Sequence, residues 1–114
     1  MHELSVTESI LEIATRHAAK ASASQITDIY LVIGRLSSII DDSIQFYWDI
    51  LSKDTIAEGA KLHFRRIPIK ILCLDCKKSY TPDSRDLACP FCGSGRVKIV
   101  TGEEFYVEAI GVEN

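Results

Sequence analysis

Cys73-Leu74-Asp75-Cys76 and Cys89-Pro90-Phe91-Cys92 hold every cysteine of this 114-residue chain, in two pairs of identical gap with twelve residues between them. Each pair can set two thiolates on one tight turn, and a returning ribbon can bring the two turns face to face. Four soft sulfurs in a tetrahedron suit zinc, with Zn–S bonds of about 2.3 Å; iron is the alternative that spacing leaves open. A closed four-sulfur site keeps no position for water, so its role is structural rather than catalytic. Pro90 and Gly93 fit the second turn, Gly93 by allowing the chain to reverse just after Cys92. The expectation is a tetrathiolate metal site on Cys73, Cys76, Cys89 and Cys92. So short a segment has little core of its own, and its folding should depend on the ion.

On either side of the cysteines the pattern changes to that of an ordinary globular domain. Leu4, Ile10, Leu11, Ile13, Ala14 and Ala18 recur at helical spacing, with Ser5 and Glu8 as a candidate capping box unless the helix already begins near Glu3. Ala21 to Ser24 reads as a loop. Ile26 to Ile33 alternates, is rich in β-branched residues and ends at Gly34, which predicts a strand. Asp41 or Asp42 can cap a second helix whose apolar face takes Ile44, Tyr47, Trp48 and Leu51. Further strands are expected over Leu62–Ile67, Arg96–Val100 and Glu104–Val112. A strand, a helix and a strand in succession favour parallel pairing through a crossover, and the last strand should rejoin that sheet. The fold class is therefore α+β: two helices packed on a small three-stranded mixed sheet, with an inserted zinc-ribbon module. Residues 1–68 plus 102–114 form the α/β domain, and 69–101 the ribbon.

Composition excludes several functions. The net charge is −3, whereas nucleic-acid binders draw their affinity from a basic excess. A zinc-ribbon adaptor for nucleic acid or transcription machinery is the competing function; it accounts for the cysteines and ignores the amino terminus. There is no apolar run near the roughly 18 residues of a membrane helix, and no secretory signal at Met1. Regularly spaced cysteines in such a chain indicate metal rather than disulfides and place it in the cytoplasm. With no Gly-rich phosphate loop, no H-E-x-x-H and no nucleophile–base pair, the chain does not read as an enzyme. His17, on the polar or boundary face of the first helix, and His63, on a strand, read as structural.

Met1-His2-Glu3 carries the remaining chemistry. A histidine at position two offers the terminal amine, its own amide nitrogen and imidazole Nδ1 in sequence, a set that favours square-planar Ni(II) or Cu(II). The alternative is a frayed end that happens to bear a histidine. Met1-His2-Glu3-Leu4-Ser5 at the start, Gly34 closing the first strand, and the Cys73/Cys76/Cys89-Pro90/Cys92 pattern together resemble the HypA/HybF hydrogenase maturation family. The resemblance spans the chain, including Thr101-Gly102-Glu103 before the final strand. It implies a nickel metallochaperone for [NiFe]-hydrogenase, and in some members urease. Met1, His2 and Glu3 would be the nickel ligands, and the four cysteines would hold structural zinc. It also implies the GTPase HypB and the hydrogenase large subunit as partners, with neither membrane nor nucleic acid expected. A weak homodimer is left open.

Overall fold

A computed structural model of the protein describes residues 3–39, 41–82 and 87–114. Contacts divide the chain into two compact units, Met1–Val32 with Ser38–Arg65 and Tyr106–Asn114, and Ile33–Ser37 with Arg66–Phe105. The second is wider than the 69–101 segment marked by composition, because the short strap Ile33–Ser37 and the stalk residues 66–68 and 102–105 belong there.

In the first unit, α1 (Glu3–Lys20) buries Val6, Ile10, Ala14 and Ala18, one residue per turn, so that a single stripe faces the core. Its start at Glu3 puts Ser5 inside the helix, so the Ser5–Glu8 box is not its cap. The helix ends in a Schellman turn, with Ala23 N–H donating to Ala18 O at 3.0 Å and Ser22 N–H to Ala19 O at 3.1 Å. Ser22 takes the left-handed conformation there, at φ 54°. Helix α2 (Asp41–Leu51) buries Ile44 and Trp48, while Phe46 is 61% exposed. The Trp48 indole N–H is buried with no hydrogen-bond partner among the described residues.

Strands β1 (Gln25–Gly34), β2 (Lys61–Ile67) and, at the chain's end, β6 (Phe105–Glu113) form a sheet in the order β2-β1-β6. Contacts between β1 and β2 advance together, from Asp28–His63 to Arg35 N–H on Ile67 O, so this pair is parallel. Those between β1 and β6 run in opposite senses, from Ser24 N–H on Glu113 O at 2.9 Å to Gly34 N–H on Glu104 O at 2.7 Å. The sheet is mixed, as the order of elements predicts.

Those two bonds enclose one more step on β1 than on β6. Successive side chains of a regular strand point to opposite faces, yet those of Thr27 and Asp28 both lie over Gly111: a Cβ there would be 3.0 Å from Thr27 Oγ1 and 3.1 Å from Asp28 Oδ2. Two residues opposite one is a β-bulge. It turns Asp28 toward β2, where Oδ1 meets His63 Nε2 at 2.8 Å and Oδ2 accepts from Thr27 Oγ1 at 2.8 Å. The His63 and Thr27 hydrogen bonds hold the Asp28 carboxyl below its ordinary range. Tyr30 stacks on the His63 ring, with centroids 4.4 Å apart. His63 is thus structural, as expected, and His17 is exposed on α1.

The second unit is built on β3 (Lys70–Cys73), β4 (Ser79–Tyr80) and β5 (Val97–Thr101), antiparallel in the order β4-β3-β5. Ile71 faces Tyr80 on one side and Ile99 on the other, and Cys73 faces Val97. Its core is small: Ile71, Tyr80, Cys73 and Cys89, with Ile69, Cys76, Leu87 and Val97 packed around them. The Tyr80 hydroxyl ties this core to the loop by donating to Leu87 O. Two of the four residues at its centre are cysteines.

Candidate metal centre

Two short turns with the same wiring carry the sulfurs. In the first, Cys73 N–H donates to Lys78 O and Lys77 N–H donates back to Cys73 O, each at 3.0 Å. In the second, Cys89 N–H donates to Ser94 O at 2.9 Å and Gly93 N–H to Cys89 O at 2.8 Å. In both, the residue four past the leading cysteine reverses the chain through the left-handed region, Lys77 at φ 64° and Gly93 at φ 75°. Glycine takes that conformation without penalty, whereas lysine sets its Cβ against a carbonyl at a cost of roughly 1–2 kcal/mol. Lys77→Gly should therefore stabilise the second unit by up to about 1 kcal/mol, after allowance for the entropy glycine adds to the unfolded chain. Gly93→Ala, with open space around the added methyl, should destabilise it by about 1 kcal/mol. Chelator-challenged thermal melts of both variants would check this, and equal shifts of one sign would refute it.

The turns bring the four Sγ atoms within 4.8 Å of one another. Cys73 Sγ lies 3.6 Å from Cys92 Sγ, and Cys76 Sγ lies 3.6 Å from Cys89 Sγ. A tetrahedron with 2.3 Å Zn–S bonds has edges of about 3.8 Å. All four cysteines are free, and 3.6 Å is far beyond the roughly 2 Å of a disulfide. Cys76 N–H points to Cys73 Sγ at 3.5 Å and Phe91 N–H to Cys89 Sγ at 3.4 Å, the outer-shell donors that steady a thiolate.

Ionisation of the cluster is frustrated without a cation. Cys89 is lowered to about 7: burial, the largest influence, opposes ionisation, but the Cys92 and Phe91 backbone N–H groups and the neighbouring thiols outweigh it. Cys92 is pushed up to about 12, because the favourable Ser94 N–H is overcome by the adjacent Cys73 thiol, by desolvation and by the other two sulfurs. The other two divide likewise. Cys73 is lowered, chiefly by the Cys76 backbone N–H; Cys76 is raised, as desolvation and the Cys89 and Cys73 thiols override the Lys78 backbone N–H. Each 3.6 Å pair thus holds one sulfur that ionises easily and one that resists. A divalent ion at the centre removes that conflict.

Asp75, which spacing alone does not mark, locks the two turns together. It accepts from the Ser94 hydroxyl through Oδ2 and from Arg96 through Oδ1 at 2.7 Å, and Arg96 N–H donates to Ser94 Oγ at 3.0 Å. Leu74 N–H completes the clasp on Arg96 O at 2.8 Å. Lys78 Nζ stands 4.9 Å over the Phe91 ring, a further link between the turns. The second sequence-predicted site, Met1-His2-Glu3, is different. Met1 and His2 lie outside the described residues, and Glu3 is the first residue of α1.

An α+β unit joined to a small antiparallel ribbon with four convergent thiols defines a two-part metalloprotein whose cysteine site is closed and structural. The chain belongs to the HypA family: the family described as "Hydrogenase/urease nickel incorporation, metallochaperone, hypA" matches residues 1–112. The hydrogenase maturation factor HypA of Dehalococcoides mccartyi (strain ATCC BAA-2266 / KCTC 15142 / 195) is 40% identical over 114 residues, covering all of this chain and 96% of that one. The hydrogenase maturation factor HybF of Escherichia coli O157:H7 is 34% identical over 113 residues, covering 99% of this chain and all of that one. In fold, the chain resembles the solution structure of the Ni metallochaperone HypA from Helicobacter pylori. The TM-score is 0.68 at 23% identity, over 99% of this chain and 98% of that one. A second solution structure of a HypA protein matches with a TM-score of 0.74 at 24% identity, over 98% and 96% of the two chains.

Proposed function

We propose that this chain is a nickel metallochaperone that takes up Ni(II) at Met1, His2 and Glu3 and delivers it during [NiFe]-hydrogenase maturation, while Cys73, Cys76, Cys89 and Cys92 hold a structural zinc. Membership of the family over residues 1–112 is the observation that carries this. The donor chemistry agrees with it. Amine, amide nitrogens and imidazole form a nitrogen set for a square-planar ion, whereas four thiolates suit a tetrahedral one. Cargo and structural ion are thereby sorted by ligand type, and neither site is an enzyme active centre.

A ligand set at the end of a chain can pass its ion on by stepwise exchange, without unfolding the domain. Each nitrogen must lose its proton to bind, so nickel affinity falls as pH drops, and an incoming ligand competes best where protons assist release. The recipients are the GTPase HypB and the hydrogenase large subunit, in the cytoplasm. Nickel titration of untagged protein tests the site, with His2→Ala and a form carrying one extra residue before Met1 as comparators. His2→Ala removes an inner ligand, so affinity should fall by more than the roughly 10–100-fold that loss of an outer-shell partner costs, whereas the extension moves the histidine to third place, where amine, two amides and imidazole still bind nickel, and should change the spectrum of the site rather than abolish it. Zinc content should stay unchanged. Nickel affinity equal in all three proteins would end this assignment.

A further inference from the structure

The β4-β3-β5 sheet of the second unit has two unlike faces. Ile71, Cys73, Tyr80 and Val97 turn to the small core around the sulfurs. Side chains of a strand alternate, and residues paired in register share a face, so the residues between these four stand on the other side. There Leu72 pairs with Lys98 on one flank and with Ser79 on the other. The bond from Leu74 N–H to Arg96 O carries the same register one step further, and Lys70 stands two residues before Leu72 on β3. Val100, passed over where the β3–β5 register shifts, is 50% exposed, and Leu74 is 36% exposed. Three apolar side chains are thus set among Lys70, Lys98 and Arg96. Asp75 holds Arg96 at 2.7 Å, but Lys70 and Lys98, both exposed, have no acidic partner among the described residues. Lysine on the edge strand β5 discourages strand addition, whereas β3 is the central strand and Lys70 has no edge to guard. Charge is segregated along the chain in the same way. Residues 69–101 carry six lysines and arginines against three aspartates, while the rest of the chain carries seven against thirteen acidic residues.

We propose that this outer face docks an acidic segment of a partner protein, one that carries apolar side chains among its carboxylates. The carboxylates meet Lys70 and Lys98, and the apolar groups cover Leu72, Leu74 and Val100. A basic ribbon on an otherwise acidic chain also sets the direction of approach. The segment is drawn to the second unit and repelled by the charge of the remainder, which raises the on-rate and suppresses wrong encounters. Nucleic acid fits the face less well, since it offers no aromatic ring among the described residues on which bases could stack, and half of it is apolar. The surface uses no residue of Met1-His2-Glu3, so docking is separable from nickel uptake.

NMR titration of the full, zinc-loaded chain with a short synthetic peptide of mixed glutamate and leucine tests this, beside the same peptide with lysine for glutamate. The acidic peptide should shift the amides of Lys70, Leu72, Leu74, Lys98 and Val100, less so as salt rises, and the basic one should leave them still. Lys70→Glu and Lys98→Glu alter exposed side chains, so zinc content and Trp48 fluorescence should match the parent. Each turns an attraction into a repulsion and should weaken binding roughly three- to tenfold. The double reversal should take the basic peptide instead. Lys61→Glu, on β2 of the first unit, is the control and should bind as the parent does. Shifts confined to the first unit, no binding by the parent, or binding unmoved by both reversals would overturn the proposal. Tighter, reversal-sensitive binding of single-stranded DNA or of phosphatidylglycerol vesicles would also overturn it, giving the face to a nucleic acid or a membrane. So would the same amide shifts on concentrating the chain alone, which would give it to the acidic half of a second copy.

Discussion

Cys73→Ser should release the structural metal and unfold the second unit while the first stays folded. The reason lies in the size of the second unit's core. Ile71 and Tyr80 are its buried non-cysteine residues, with Ile69, Leu87 and Val97 only partly covered. So small a core cannot by itself order Arg66–Phe105. The metal is what completes it, since zinc bound by small cysteine modules contributes about 10–16 kcal/mol of apparent folding free energy.

Cys73 is the most damaging position because it is both ligand and core, at 0% exposure between Ile71 and Val97. Serine there ligates poorly and also leaves a hydroxyl in an apolar site. Cys92 is exposed, so water can take the vacated ligand position, and Cys92→Ser should lose less. The first unit keeps Val6, Ile10, Ile29, Leu31, Ile44 and Trp48 in a core of its own. Trp48 is the only tryptophan, so its fluorescence reports on that unit, and zinc content and amide NMR dispersion report on the other. A zinc-free Cys73→Ser protein with native dispersion over 66–105 would show that the ion is not what folds the ribbon.

Where the polypeptide repeats a simple period, its structure was legible. The alternation of β1, the helical stripe of α1 and the paired cysteines each announced an element, and the order of elements announced a mixed sheet. What escaped was set by single residues against distant partners. The bulge at Thr27–Asp28 breaks the period of two by one residue, and from β1 alone it is indistinguishable from a polar interruption. Its sign is Gly111, some eighty positions away, which must lack a side chain to lie beneath both residues. Strands β3 and β4 are too short for periodicity to register, and pair because the cysteine turns force the chain back on itself. Asp75 sits between two cysteines where any polar residue would look like loop.

Gly34 combines both cases, visible as the end of a strand and opaque as to cause, and Gly34→Ala should be the most costly glycine substitution in the protein. A Cβ at this position would fall inside the van der Waals envelope of the Gly102 carbonyl carbon and oxygen, and 2.5 Å from Glu103 N. Those are backbone atoms, which no rotamer change can move aside. The strap around Gly34 also carries a dense set of hydrogen bonds. Gly34 N–H donates to Glu104 O at 2.7 Å, Leu36 N–H to Gly102 O at 2.8 Å, and Arg66 NH1 to Gly34 O at 3.1 Å. Relieving the clash means drawing strap and stalk apart, which loosens all of these at about 1 kcal/mol each. Gly102 cannot retreat easily, since it already sits at φ 120° with Ile69 Cα only 3.1 Å from where a Cβ on it would stand. The expected loss is about 3 kcal/mol or more, or a fall in Tm of more than about 10 °C for a unit of this size. Gly95→Ala is the control, because nothing lies within 4 Å of its added methyl, and it should leave Tm within a degree or two. If the two variants melt together, the close approach at Gly34 is not what holds strap to stalk.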